Sequence, residues 1–207
     1  EVDGASVGAF SQYFEQEAEF TVAVDLDGRR SAPHRGFLLL EKQPKIRVVS
    51  DLASQIFVAV PSRTVVGRPF GVKVTVRDRY RNAVYGYQGD LSIELDDTWL
   101  THHLDAKDGG SHVFRGCVLN SPGVYRLKAK GSRGIKGRSN PTECTRTEVA
   151  DRIYWGDIHN MSAESAGLST PDEQYEYGKR YSHLDFCAVT DGDNGDGYLT
   201  DEEWEDL

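Results

Sequence analysis

The sequence predicts a mainly β protein: an immunoglobulin-like β-sandwich followed by one βαβ unit. Three observations carry that prediction. Residues 55–148 alternate apolar and polar side chains in short runs separated by turn signals. After Ala150 the pattern changes to strand, capped helix, strand. Charge divides at the same place, with 15 acidic and 3 basic side chains in residues 151–207 against 18 and 21 in residues 1–150.

Residues 1–54 contain "AEFTVAVDLDG" and "RGFLLLEKQPKIRVV", which read as strands too few to close a sheet. They are expected to form a β-rich N-terminal segment packed on the sandwich. Opening on Glu1, with Met161 as the single methionine, the chain reads as a trimmed or processed piece.

The sandwich, residues 55–148, builds from "FGVKVTVRD", where Phe70, Val72, Val74 and Val76 alternate with Lys73, Thr75 and Arg77. "LSIEL" repeats the pattern, and "HVFRGCVL" and "VYRLKAK" add strands across the turn Asn120-Ser121-Pro122-Gly123. This rhythm over about 95 residues suits a sandwich. Gly123-Val124-Tyr125-Arg126-Leu127 resembles a tyrosine corner, with Leu127 where antibody domains carry a cysteine. "VRDRYRNAVYGYQG" resembles the Asp-x-x-Gly-Asn turn of bacterial immunoglobulin-like modules, with Arg81 in place of glycine.

Residues 149–207 begin an α/β domain. "RIYWGDIH" reads as a strand, and Thr170-Pro171-Asp172-Glu173 as a helix start with Thr170 at the N-cap and Pro171 in the first turn. The helix should reach about Tyr181. "LDFCAVT" then reads as a second strand, apolar enough for burial on both faces. Two parallel strands and one helix cannot cover their own sheet. A further C-terminal segment, another chain, or the sandwich must complete it.

Hydrophobic residues make up 38% and charged residues 28%, a globular rather than disordered composition. No apolar run approaches the ~18–20 residues of a membrane span. Cys117, Cys144 and Cys187 fit no zinc spacing and their odd number argues against a disulfide framework, although a Cys117–Cys144 bridge stays open. Cys187, within an apolar run, reads as a buried inert thiol. From Asp191 to Leu207 there are eight acids and no Lys or Arg, a stretch that attracts cations and repels nucleic acid phosphates. "KGSRGIKGRSN", residues 130–140, reads as a basic hairpin rather than a phosphate loop. No aromatic-plus-basic nucleic-acid face is legible.

The segment "IYWGDIH…STPDEQYEYGKRYSHLDFCAVTDGDN" resembles the opening of the PHP (polymerase and histidinol phosphatase) superfamily. The closest branch is the DUF3604-like group, in which a β-sandwich precedes the barrel. The resemblance implies an incomplete PHP-type (β/α) barrel, completed by a missing C-terminal segment or by another chain. It also implies a divalent metal of the zinc, manganese or iron type and hydrolysis of phosphoesters, with a metal-bound water as nucleophile. The candidate metal ligands are His159, Asp157 and Asp191. Gly156, Asp157 and His159 match the first family motif, Ser165 and Gly167 the next, and Thr190 and Asp191 the last. Met161, Ala166 and Gly192 occupy positions where the family has histidine, aspartate and histidine. Two of the three imidazoles are therefore replaced, so the metal site reads as degraded or incomplete. The alternative function is a non-catalytic β-sandwich interaction module.

A calcium loop is the second metal reading. Placing Gly197 at position 6 of an EF-hand frame puts Asn194 at 3, Asp196 at 5, Thr200 at 9 and Glu203 at 12. Position 1 falls on Gly192, so Asp191 or Asp193 would have to supply that oxygen. The alternative calcium ligands over residues 191–203 are thus Asp193, Asn194, Asp196, Thr200 and Glu203.

Overall fold

The computed structural model describes residues 16–19, 21–25, 37–165, 167 and 169–191. The chain divides into two compact units between Ser50 and Asp51. In the first, β1 (Gln16–Glu19) pairs antiparallel with β4 (Lys45–Val48), and β2 (Ala23–Asp25) with β3 (Phe37–Leu39). Gln43 ties this unit together, its side chain accepting from Val22 N at 2.6 Å and donating to Leu40 O at 2.8 Å.

The second unit is mainly β, as its alternation requires. Its strands are β5 (Gln55–Ala59), β6 (Arg63–Val65), β7 (Phe70–Arg77), β8 (Gly89–Leu95), β9 (Thr98–Leu104), β10 (Ser111–Cys117), β11 (Gly123–Tyr125), β12 (Lys128–Gly131), β13 (Lys136–Arg138) and β14 (Thr142–Thr145). Seven of them hydrogen-bond in the order β10-β7-β5-β13-β12-β8-β9, and β11-β14-β6 form a smaller sheet. His102 of β9 stacks on His112 of β10 with ring centroids 3.6 Å apart. The outer strands of the larger order therefore meet, and the sheet folds over one core. Val72, Val74, Val76, Leu91, Ile93, Leu104 and Leu119 are fully buried there.

Pro61 interrupts the first long strand, because proline cannot donate to a ladder. β5 runs antiparallel to β7, whereas β6, beyond the proline, runs parallel to β14. The Asn140 amide bridges the break, donating to Val60 O at 2.8 Å and accepting from Val60 N at 2.9 Å. The tyrosine corner is present: Tyr125 donates its hydroxyl to Ser121 O at 2.9 Å, and Leu127 is buried in the core. Cys117 and Cys144 are buried free thiols, with no bridge between them.

The turn after β7 closes on Asp78, whose residue surface is 0% exposed. One carboxylate oxygen accepts from Tyr80 N and Asn82 N, the other from Asp51 N and the Asn82 amide, all at 2.8–3.0 Å. This geometry forces Arg81 to φ +76°, the left-handed region that glycine takes without a steric penalty. The Arg81→Gly variant is expected to gain about 1 kcal/mol of stability, less the entropy of a freer unfolded chain, which urea denaturation measures.

Beyond the sandwich, β15 (Gly156–Asn160) and β16 (Phe186–Val189) pair in parallel. Between them lies α1 (Pro171–Arg180). Its capping box is complete, Thr170 Oγ1 accepting from Glu173 N at 3.3 Å and Glu173 accepting from Thr170 N at 2.9 Å. Gly156 permits the close approach of the strands, since a Cβ there would collide with the Phe186 ring. β16 departs from the sequence expectation: Phe186 is 49% exposed and the rest half-buried, because among the described residues nothing covers that face. Cys187 is likewise half-buried rather than buried.

The C-terminal end of α1 docks on the outer face of β7 and β10. Helix ends leave carbonyls unpaired and carry partial negative charge. Arg77 donates to Tyr181 O at 3.0 Å, and the Ser111 hydroxyl is shared between Val74 O at 3.0 Å and Arg180 O at 3.1 Å, so sandwich side chains cap the helix. His183, at φ +57°, packs flat on Phe57 with ring centroids 5.9 Å apart and lies 2.8 Å from Thr75 Oγ1. Thr75 is consequently buried, although it alternates with Val74 and Val76.

Candidate functional site

Parallel pairing places the C-terminal ends of β15 and β16 side by side, and the residues singled out in sequence gather there. His159 lies on β15, and Thr190 and Asp191 directly follow β16. Thr190 Oγ1 contacts His159 Nδ1 at 3.2 Å and also donates to Asn160 O at 3.3 Å. Directing the hydroxyl proton to Asn160 would make Nδ1 the donor to Thr190 and leave the free lone pair on Nε2. His159 is exposed, so that lone pair is accessible.

Asp157 turns back on its own strand and accepts from His159 N at 3.1 Å. Asp191 is more heavily engaged. One oxygen accepts from Ser162 N at 2.6 Å and from Ser165 Oγ, the other from Ser162 Oγ at 2.5 Å. Partial burial opposes ionisation of this carboxyl, but the bonds from both serine hydroxyls and the Ser162 amide hold it below its ordinary range. Gly167 shapes the loop by donating to Ser162 O at 2.7 Å, and a Cβ there would collide with the Met161 carbonyl. The Gln174 side chain reaches the same carbonyl at 2.5 Å and fastens α1 to the loop.

The donor set does not complete a metal site. Among the described residues no three His, Cys, Asp or Glu side chains converge. His159 offers one imidazole nitrogen, while Asp191 is held by three donors. Met161, at the second histidine position, is half-buried. Gly192 and the calcium-loop residues Asp193, Asn194, Asp196, Thr200 and Glu203 lie outside the described residues. Ser162 carries the Asp191 bonding yet was not singled out in the sequence. Its only signal was as the third residue of the glycosylation acceptor pattern Asn160-Met161-Ser162.

No family model and no curated protein matches the sequence. Solved structures show partial similarity. A carbohydrate acetylesterase from Xanthomonas citri aligns with 12% identity and TM-score 0.31 over 52% of this chain and 21% of its own. The chain thus spans about a fifth of that protein. The CARDB domain of a Pyrococcus furiosus protein, in complex with di-metal ions, aligns with 12% identity and TM-score 0.32 over 45% of this chain and 93% of its own. The PKD domain of an M14-like peptidase from a Thermoplasmatales archaeon aligns with 18% identity and TM-score 0.31 over 48% of this chain and 100% of its own.

Proposed function

We propose that this chain is the N-terminal part of a PHP-type, divalent-metal-dependent phosphoester hydrolase of the DUF3604-like group, with a degraded ligand set on its first two barrel strands. The observation that supports this reading is the meeting of His159, Thr190 and Asp191 at the C-terminal ends of a parallel pair joined through α1. Chemistry in parallel α/β folds assembles at that end. Trp155, Ile158 and Phe186 are 60%, 68% and 49% exposed, which suits a sheet whose neighbours come from further βα units or another chain. His159 would hold the ion through Nε2, and Asp191 would position the Ser162 loop rather than ligate. A zinc, manganese or iron-type ion would supply Lewis acidity.

Calorimetric titration of the metal-stripped chain tests this. Manganese is expected to bind weakly, with the heat abolished in His159→Ala and affinity lowered roughly tenfold or more in Asp191→Asn. No manganese heat, or heat unchanged in His159→Ala, would remove the hydrolase reading. The chain would then be a non-catalytic sandwich module. Calcium titrated separately addresses residues 191–203: a response lost in Asp196→Ala assigns them a calcium loop, and a response that persists dismisses it.

A further inference from the structure

We propose that the outer face of β12 and β13 binds an anionic polysaccharide. The inference is independent of the metal reading and starts from the basic hairpin. Between Arg126 and Arg138 the chain carries six basic residues and no acid, in a sequence of net charge −9. β12 and β13 pair in antiparallel register with Lys128 opposite Arg138 and Lys130 opposite Lys136. Ala129, between the two lysines of β12, faces the core. All four cations are exposed and alternate to the outer face.

Like charges directly opposite on a sheet destabilise the pairing. Lys128 is relieved by Glu94 at 2.7 Å, but Lys136 and Arg138 meet no carboxylate among the described residues. Among the described residues, Lys136 and Arg138 are therefore the uncompensated part of this cationic face. Its spacing is regular, ~7 Å along a strand and ~5 Å across the pair, and suits anionic groups repeated along a polymer.

β9, separated from β12 by β8, supplies a ring. Trp99 of β9 is paired with Glu94 and 39% exposed, with Lys130 Nζ 3.8 Å from its ring centroid. An indole with a cation over one face offers its remaining apolar surface for a sugar and a charge for its carboxylate or sulfate. Single-stranded nucleic acid fits less well. It needs successive aromatic platforms, whereas Trp99 is a single ring with one face occupied by Lys130.

The test is binding of the full chain to heparin, polygalacturonate, neutral dextran and a single-stranded oligothymidylate, at low and at physiological salt. Binding to heparin or polygalacturonate is expected, weakening with salt, and which of the two binds distinguishes sulfate from carboxylate. The double variant Lys136→Glu/Arg138→Glu is expected to lose roughly tenfold or more in affinity, and Arg115→Glu on β10 to lose little. Lys136→Gln/Arg138→Gln, a milder pair, should show a smaller loss with an unchanged circular dichroism spectrum. Absence of binding to both polysaccharides, binding insensitive to the hairpin variants, or oligothymidylate bound at least as tightly would each overturn the proposal.

Discussion

An Asp78→Ala variant is expected to unfold about 3 kcal/mol more easily than the parent chain. Alanine leaves four donors behind: the amides of Asp51, Tyr80 and Asn82, and the Asn82 side chain. A buried donor without a partner costs about 1–3 kcal/mol, and partial access of water to a turn keeps the sum below four full penalties. The turn also sets the β7 exit and, through Asp51, the start of the second unit. Burial opposes ionisation of Asp78, but bonds from Asn82, Asp51 and Tyr80 more than offset it and hold the pKa below the ordinary value. The carboxylate's contribution is therefore complete above the unfolded pKa of about 4 and declines as pH falls through the lower folded value. Asp78→Asn should be intermediate, since one oxygen remains to accept. Urea denaturation of the three proteins at neutral pH checks the order, and equal midpoints would contradict it.

The second large effect is a loss of α1 docking in mild acid. Burial, with the nearby cations of Lys73 and Arg77 adding to it, drives the His183 pKa down to about 4. The unfolded chain takes up a proton near pH 6.5, whereas the docked imidazole does so only near 4. Unfolding therefore gains protons across that window, and stability falls as pH decreases from 6.5 to 4, levelling off below. The shift of about 2.5 units corresponds to roughly 3 kcal/mol. More than half of this is lost by about pH 5, where ordinary carboxylates remain mostly ionised. The expected readout is faster amide hydrogen exchange along α1 at pH 5 than at pH 7, after correction for intrinsic rates. His183→Gln keeps a neutral hydrogen-bonding group near Thr75 and should flatten that dependence. A pH response identical in the variant would show that other groups govern docking.

Much of the sandwich was legible because its determinants are local. Alternation in residues 70–77 and 91–95 fixed which side chains face inward. Tyr125 and Thr170 announced a corner and a helix start that the hydrogen bonds bear out. Thr75 and His183 were not legible in that way. Each is polar in a segment with ordinary local grammar, and each is buried because an element about 108 residues distant packs on it. The strand-end site was legible as residues but not as bonding. Whether Asp191 is free to ligate depends on Ser162 and Ser165, whose positions follow from the turn that Gly167 permits. The cationic face lay between these cases, since the hairpin could be read but Trp99 joins it only through the register of β8 and β9.

The capping of α1 by Arg77 and Ser111 also implies an order of events during synthesis. Both caps lie in strands made well before the helix leaves the ribosome, and N-terminal domains generally fold first. An isolated ten-residue helix is marginal in water. The finished sandwich thus offers a waiting platform on which the helix is captured as it emerges, and which fixes the orientation of β15 and β16 as they pair.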